Sequence, residues 1–314
     1  MKIKRILLMG GLLTALISSP FALTSSYAND KEEEKTNPLA SIPLRTIGPA
    51  MISGRISDFA FNPEKSHEFY AATASGNLWK TSNNMITWEP LFENEGAYAI
   101  GVIEMAAGNP ELLWIGTGEN NAQRSVAYGD GVYKSEDGGK SWKNMGLKNS
   151  GHISQIWINP TNHNEVLVAA QGPLWNGGGD RGLYKTTDGG ENWELILEVD
   201  EYTGINEFVV DPRDFNNIVA SSYQRHRHVW TLINGGPGSG IHKSTDGGKT
   251  WKEITSGLPS GQMGRIGIAM APSAPDISSM VSTSSWVRIS PLPITGMETA
   301  SFTLRMNAQS AFPL

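Results

Sequence analysis

The sequence predicts an all-β protein, a β-propeller with four recognisable four-stranded blades and the start of a fifth. The first observation is a repeat that ends each time on a tryptophan, and these tryptophans lie 54, 51 and 58 residues apart: Trp88, Trp142, Trp193 and Trp251. A period of about 50 residues with four strand signals per unit is typical of propeller blades. The second is composition, because 35 glycines and 10 tryptophans in 314 residues indicate many tight turns between strands that carry aromatic side chains.

Alternating apolar residues and turn residues place four strands in each unit. The third unit shows the plan, with strands predicted over 152–160, 165–171, 182–187 and 192–198. The first strands of the other units likewise end at a proline turn: RISDFAFNP (55–63), AIGVIEMAAGNP (99–110), INEFVVDP (205–212) and RIGIAMAP (265–272).

The turn between the third and fourth strands carries Asp-Gly-Gly followed by Trp in three units: SEDGGKSW (135–142), TTDGGENW (186–193) and STDGGKTW (244–251). We predict that the Asp accepts hydrogen bonds from N–H groups two and three residues on, that the glycines take positive φ, and that the Trp packs over the turn. The structural residues are then Asp137, Trp142, Asp188, Trp193, Asp246 and Trp251. Catalysis by these carboxylates is disfavoured, since each belongs to a separate blade. The first unit has a decayed copy (81–88) that keeps the Trp but lacks the Asp and both glycines.

These three stretches resemble the Asp-box, or bacterial neuraminidase (BNR) repeat, of sialidases, sortilin-type receptor domains and xyloglucanases. More narrowly, residues 45–277 resemble the N-terminal propeller of secreted bacterial proteins labelled glycosyl hydrolase or sortilin-like. The stretches that carry this resemblance are IGPAMISGRI, GTGENNAQRSVAYGDGVYKS, AAQGPLWNGGGDRGLYKTTDGG and YQRHRHVWTLINGGPGSGIHKSTDGG. The resemblance implies the propeller fold and is nearly silent about chemistry.

The N-terminus predicts export to the periplasm or the exterior. Three cations, Lys2, Lys4 and Arg5, precede an apolar run (6–17) and a small-residue site, which is the layout of a signal peptide (1–28) cut after Ala28. A membrane anchor is the alternative, although 12 apolar residues fall short of the roughly 20 that span a bilayer. Residues 29–44 are polar and predict a flexible lead-in. Losing the three cations takes the formal charge from −6 to −9, which disfavours nucleic acid as a partner, and the absence of cysteine excludes a disulfide framework.

The repeat register is lost near Ser278. The stretch GRIGIAMAPSAPDI opens a fifth unit, and the resemblance implies that another strand and another Asp-box follow, but residues 278–314 carry neither. Two interpretations stay open. Either this tail diverges and still adds strands, or the reading frame is truncated and frame-shifted, which would make the chain a fragment with open blade edges.

Candidate binding residues are sought on the face opposite the Asp-Gly-Gly turns. Three long loops between second and third strands, Glu119–Asp130, Gln171–Asp180 and Gln224–Gly240, are rich in polar and aromatic residues. The candidates are Arg55, Glu119, Asn120, Asn121, Arg124, Trp175, Asp180, Arg225, His226, Arg227, His228, Trp230 and Arg265. Arginines there can grip a carboxylate or sugar hydroxyls while Trp rings stack on a sugar. Alternatively these groups pair with one another to hold the loops closed, as Glu119 with Arg124 and Asp180 with Arg181.

No metal or cofactor is predicted. His226 and His228 alternate on a strand and can face the same side, with Arg225 and Arg227 on the other, but two histidines without a third ligand favour a loop anchor over a metal site. No phosphate loop, nucleophile elbow or HExxH pattern occurs.

Three classes of function remain open at this point. A module that binds a peptide or glycan is favoured, because no catalytic set converges. A glycoside hydrolase is the runner-up, and Glu119, Asp130 and Asp180 are the carboxylates available on the proposed face; for a sialidase the resemblance also offers Arg55 and Tyr128. A scaffold for a missing C-terminal region is third.

Overall fold

A computed structural model describes residues 54–121, 126–271, 274–282 and 285–288, all within one compact unit, Thr46–Leu314. The predicted signal peptide (1–28), the lead-in (29–44), Arg124 and the tail beyond 288 lie outside the described residues.

The strands form five antiparallel sheets in chain order, which we call blades 1 to 5. Blade 1 comprises β1 (Ile56–Phe61), β2 (Phe69–Thr73), β3 (Leu78–Thr81) and β4 (Glu89–Pro90). Blade 2 comprises β5 (Ile100–Ala106), β6 (Asn109–Thr117), β7 (Val132–Ser135) and β8 (Lys143–Asn144). Blade 3 comprises β9 (Ile153–Ile158), β10 (Val166–Ala170), β11 (Gly182–Thr186) and β12 (Glu194–Leu197).

Blade 4 contains one additional short strand. It comprises β13 (Thr203–Val210), β14 (Ile218–Arg227), β15 (Leu232–Asn234), β16 (Ile241–Ser244) and β17 (Lys252–Ile254), with β15 paired to the end of β14. Blade 5 comprises β18 (Ile266–Ala271), β19 (Ala274–Ser282) and β20 (Ser285–Arg288). The strand β19 runs across Ser278, where the sequence repeat is lost.

The predicted fold class is confirmed. Each of the first four sheets pairs its strands in chain order, and the first strands of successive blades contact one another, as they do around a propeller axis. Across the described residues every regular element is a strand, and none forms a helix long and apolar enough to cross a membrane.

Side chains from the first strands tie each blade to the next. A bulge in the first strand presents Ser57, Ser154 or Asn206, whose side chains donate to the carbonyl oxygens of Ile100, Ile205 and Ile266 at 2.6, 2.9 and 2.9 Å. The next side chain accepts from the following blade: the N–H groups of Ile103, Phe208 and Ile268 donate to Asp58, Gln155 and Glu207 at 3.0, 2.7 and 2.9 Å. These bonds keep neighbouring blades in register.

Blade 2 departs from this pattern. Its bulge residue is Gly101, followed by Val102, and neither side chain can make the tie. Asn120 replaces it from a loop, donating to the carbonyl oxygens of Gly101 and Ser154 at 3.3 and 3.2 Å. A β-carbon at Gly101 would lie 2.4 Å from the carbonyl oxygen of Ile153, so glycine is required for the close approach of blade 3.

The three Asp-Gly-Gly turns share one hydrogen-bond network. In blade 3, Asn192 N–H donates to Asp188 Oδ1 at 3.0 Å, the first glycine donates to the Asn164 carbonyl at 2.9 Å, and the second donates to Thr186 Oγ1 at 3.0 Å. The N–H group of Gly190, two residues on, is thus already used, and the carboxylate accepts from Asn192, four residues on, instead. The N–H group of Glu191, three residues on as predicted, also bonds to the carboxylate and lowers its pKa. Hydrogen bonds, first among them that of the Asn192 side chain, lower the pKa of Asp188 to about 2.

Each turn also packs against the preceding blade. The second glycine has φ of +90° to +96° at Gly139, Gly190 and Gly248. A β-carbon there would lie within 2.5 to 2.8 Å of Leu91, Trp114 or Ile196 of the blade before. Trp142 and Trp193 donate from Nε1 to carbonyl oxygens of the preceding blade, at 2.9 and 2.7 Å, whereas Trp251 donates within its own turn. The motif therefore joins blades as well as strands.

The decayed turn of blade 1 keeps the same shape with other residues. Asn83 accepts from Thr87 N–H at 2.9 Å, as the aspartates do four residues on. Asn84 and Met85 occupy the glycine positions with φ of +54° and +70°, and Met85 is exposed. No described blade precedes blade 1, so the second position tolerates a side chain there.

Substitutions at the second glycine position should have different effects where that position packs against a preceding blade and where it is exposed. Gly190→Ala should destabilise the fold by about 2 to 4 kcal/mol, since it combines a left-handed backbone with a β-carbon pressed against Trp114. Thermal and denaturant unfolding measure the change.

The matched control is Met85→Gly, at the equivalent position of blade 1. It should leave stability unchanged or raise it slightly, because it relieves a positive φ and opens no buried contact. Equal losses of stability in both variants would contradict the conclusion that the second glycine is required for packing against the preceding blade.

Candidate functional site

Three loops meet on the face opposite the Asp-Gly-Gly turns, and we call this face the mouth. The described parts of these loops are 119–121 with 126–130, 171–180 and 224–240. They bond to one another, since Arg225 Nη2 donates to the Asn121 carbonyl oxygen at 2.8 Å and Arg227 N–H donates to the Leu174 carbonyl oxygen at 2.8 Å. On the other face, the first glycine of each turn donates to a carbonyl oxygen at or just before the start of the second strand, that of Glu111, Asn164 or Asn216. The two faces are therefore built differently.

A depression at the mouth lies between blades 1 and 2. Arg55, Ser75, Tyr98, Glu119, Val126, Ala127 and Tyr128 line it. Arg55 forms an ion pair with the buried Glu119, while the rings of Tyr98 and Tyr128 are exposed. The depression thus offers two exposed rings and a half-exposed guanidinium that is already paired.

A buried histidine packs against Tyr128, one of the residues that line this depression. His152 is stacked on Tyr128 with 5.2 Å between ring centroids. Burial, and then the charges of Arg225 and Arg181, lower the pKa of His152 to about 3, so the imidazole is neutral above that pH. It supports the Tyr128 ring without adding charge.

Two arginines hold the second and third loops from inside. Arg181 is buried and donates to the carbonyl oxygens of Gly178, Gln171, Pro173 and Asn176. Arg225 is also buried and reaches the Gln171 side chain and the Asn121 carbonyl oxygen. Asp180 accepts from Asn149 N–H at 2.8 Å. Arg181 therefore bonds to backbone carbonyls of the second loop, whereas the other pair considered from the sequence, Glu119 with Arg124, lies outside the described residues.

Beyond these anchors lies a row of rings, which we call the ring ladder; it begins at Tyr202, just before β13, and continues along the third loop. Tyr202 stacks on His226 (4.6 Å), His226 contacts His228 (4.1 Å), and His228 stacks on Trp230 (5.4 Å, 6° between planes). Trp230 is 81% exposed. The ladder runs from the mouth into solvent.

The second loop adds a further ring beside the ladder. Arg227, on the opposite side of the strand from His226 and His228, lies over the ring of Trp175 at 5.8 Å, and His226 Nε2 contacts the Trp175 carbonyl oxygen at 3.2 Å. In the described part of the chain, no group of three or more His, Cys, Asp or Glu residues is placed to hold a metal ion.

Sequence reasoning missed a second depression, in the channel between the first strands. Its lining includes Asp58, Glu104, Glu207, Asn120, Asn121 and Arg265. Arg265 Nε donates to Asn206 Oδ1 at 2.8 Å. Burial, and then the charge of Asp58, raises the pKa of Glu104 to about 7. The available signal was the alternation of polar residues in the first strands, which the search for long loops passed over.

The candidate residues therefore fall into three separate groups. Arg55 and Glu119 lie in the depression between blades 1 and 2, Asn120, Asn121 and Arg265 line the channel, and the residues from 225 onward form the third loop with Trp175 beside them. Asp180 lies at the edge of the second loop.

Comparison with known proteins gives the same architecture. The family described as Sortilin-Vps10 (sortilin, neurotensin receptor 3) matches residues 130–267. The xyloglucanase Xgh74A of Acetivibrio thermocellus is 26% identical over 242 residues, covering 68% of this chain and 26% of that protein. A probable oligoxyloglucan-reducing end-specific xyloglucanase of Neosartorya fischeri is 23% identical, covering 64% of this chain and 24% of that protein. The chain thus spans about a quarter of the length of these relatives.

Solved structures support the fold. An ancestral GH74 enzyme superposes with a TM-score of 0.55 at 20% identity, covering 72% of this chain and 29% of that one. The GH74 enzyme of Niastella koreensis gives 0.53 at 22% identity, covering 71% and 34%. The resemblance to Asp-box propeller proteins drawn from the sequence is confirmed.

The channel carboxyl predicts a pH dependence of stability. A carboxyl whose pKa is raised on folding favours its protonated form in the native state, so its charged form costs stability as pH rises from about 4.5 through about 7. Glu104→Gln should therefore be more stable than wild type at pH 8, by about 1 to 3 kcal/mol, with a small difference at pH 4.5. Unfolding in denaturant at both pH values measures this.

The control is Glu64→Gln, which neutralises an exposed carboxylate. It should change stability little at either pH. A wild-type protein that is more stable than Glu104→Gln at pH 8 would contradict the burial account.

Proposed function

We propose that this chain is the blade-bearing part of an exported propeller that binds a glycan at the mouth. The observation that carries the proposal is the set of exposed rings on that face: Tyr98, Tyr128, Trp175 and the ring ladder that ends at Trp230. Flat aromatic faces suit the apolar faces of sugar rings, and nearby arginine and asparagine side chains suit hydroxyl groups. Export follows from the predicted signal peptide (1–28).

The relatives favour a glycan over a peptide as the ligand. Those reported above are named as xyloglucanases, so a branched β-glucan is the chemistry to test first. The anchoring of the mouth supports a preformed site. Because Arg181 and Arg225 bond to the loops from inside, the rings are held in place before any ligand arrives, which lowers the ordering cost of binding.

The affinity of ring variants tests this proposal. Trp175→Ala and Trp230→Ala should each weaken binding of xyloglucan oligosaccharides by about tenfold, the equivalent of about 1.4 kcal/mol. Isothermal titration measures it. Phe61→Ala, which removes an exposed ring of blade 1, should bind like wild type. Wild type that binds a peptide library and no oligosaccharide would assign the mouth to peptides instead.

One variant on each face tests which face binds the ligand. Asp188→Ala removes the acceptor of its turn and should lower the melting temperature while the folded protein keeps its affinity for the oligosaccharide. Arg227→Ala, whose guanidinium lies over Trp175, should weaken binding with little effect on melting. Loss of binding in an Asp188→Ala protein that melts like wild type would reverse the assignment of faces.

A second candidate function is glycoside hydrolysis, and one observation favours it. Such hydrolysis uses a protonated carboxyl as acid and a charged one as base or nucleophile. Burial and Asp58 raise the pKa of Glu104 to about 7, as an acid requires, and both residues line the channel. The mouth carboxylates are already engaged, Glu119 with Arg55 and Asp130 with Tyr133.

Release of reducing ends from xyloglucan tests hydrolysis separately from binding. Wild type should release them and Glu104→Gln should lose at least about 100-fold in rate, in line with the loss of one general acid. A wild type that binds the oligosaccharide and releases nothing would remove hydrolysis and leave the binding proposal standing.

A further inference from the structure

Blade 1 has a partly exposed apolar sheet face whose counterparts are buried in blades 2, 3 and 4. The face consists of Ile56, Phe59, Phe61, Phe69 and Trp88, and we call it the seam. Phe59 and Phe61 contact each other at 5.8 Å between ring centroids, Phe61 and Phe69 at 5.0 Å, and Phe69 and Trp88 at 5.6 Å. The rings are therefore packed together while the outer side of the cluster faces solvent.

Register identifies the counterparts of these residues. Ile56 stands one residue before the first-strand bulge, as do Ile100, Ile153 and Ile205. Ile56 is 56% exposed, whereas each of the three counterparts is 0% exposed. The same position is thus interior in blades 2, 3 and 4.

The phenylalanines show the same contrast. Phe59 corresponds to Ile103, Ile156 and Phe208, because each stands two residues after the bulge. Phe59 is 41% exposed, and its counterparts are at most 3% exposed. Phe61, two residues further on, is 60% exposed. In the later blades these positions belong to apolar clusters shared with the preceding blade.

Trp88 completes the match. Its counterparts Trp142 and Trp193 donate from Nε1 to carbonyl oxygens at the end of the preceding blade, Leu91 and Met145. The seam therefore repeats the residue types that line the interfaces between blades 1 and 2, 2 and 3, and 3 and 4.

In blade 5, β18 offers the complementary side. Ala60 of blade 1 faces blade 2 and is buried. Ile268 makes the same tie to the preceding blade as Ile103 and Phe208, so it corresponds to Phe59, and the next residue, the exposed Ala269, corresponds to Ala60. Blade 5 does not cover the seam of its own chain, since Phe59 and Phe61 are exposed.

We propose that the seam binds blade 5 of a second copy of this chain, so that blades stack from one copy to the next as they do within one. The contact is heterologous: one surface of a copy meets a different surface of its neighbour, and such contacts make rings or open filaments. Each copy supplies an apolar face to one neighbour and receives one from another.

Disulfide trapping tests the pairing directly, because the full chain has no cysteine of its own. Phe61→Cys and Ala269→Cys are prepared separately and mixed under mild oxidation. The mixture should give a cross-linked dimer at several times the yield of either variant alone. A yield in the mixture no greater than that of the single variants would overturn the pairing.

Light scattering across a concentration series gives the second arm. Wild type should grow in mass with concentration, and Phe59→Glu combined with Phe61→Glu should stay monomeric with an unchanged circular dichroism spectrum. Val229→Glu, a charge placed on an exposed residue of the mouth, should associate like wild type. A wild-type monomer over the whole series would overturn the proposal, as would association that survives the double variant. Neither arm uses a glycan, so its outcome is independent of the proposed binding.

Discussion

The structure depends on one contact, the packing of each blade on the blade before it. A four-stranded sheet of this size cannot bury its own apolar faces, so stability comes from stacking. The first strands tie neighbouring blades by side-chain hydrogen bonds near the axis, and the Asp-Gly-Gly turns press the second glycine against the preceding blade at the rim. Glycine at that position serves two needs at once, a left-handed backbone and the absence of a β-carbon.

The same constraint explains how far the sequence predicts the fold. The repeat of tryptophans and the alternation of apolar residues predict the blades, because each blade packs against its neighbour in the same way and so requires the same residue types. The network within each turn was only partly foreseen. The N–H groups of Gly189 and Gly190 donate to the Asn164 carbonyl oxygen and to Thr186 Oγ1. These partners depend on how the strands pack, so the local sequence pattern does not predict them.

The candidate site was less predictable for the same reason. Loop length pointed to the mouth, but pairings across it depend on which blade stands beside which. Glu119 meets Arg55 across a blade boundary, 64 positions away in sequence, and Asn120 substitutes for a missing first-strand tie. Glu104 was overlooked because its raised pKa arises from burial in the channel, which one strand does not reveal.

The two faces of the propeller thus differ in structure and in their proposed roles. One face consists of turns whose polar groups are hydrogen-bonded within the fold. The other face presents aromatic rings to solvent on loops that buried arginines hold by hydrogen bonds. In blade 1 the exposed Ile56, Phe59 and Phe61 occupy positions that are otherwise used between blades.

Hydrogen exchange with and without a xyloglucan oligosaccharide tests the division of faces most directly. The account predicts slower exchange on ligand addition in peptides covering 171–181 and 223–234, with no change in those covering 135–142 and 186–193. Protection at the Asp-Gly-Gly turns without protection at the mouth would contradict it.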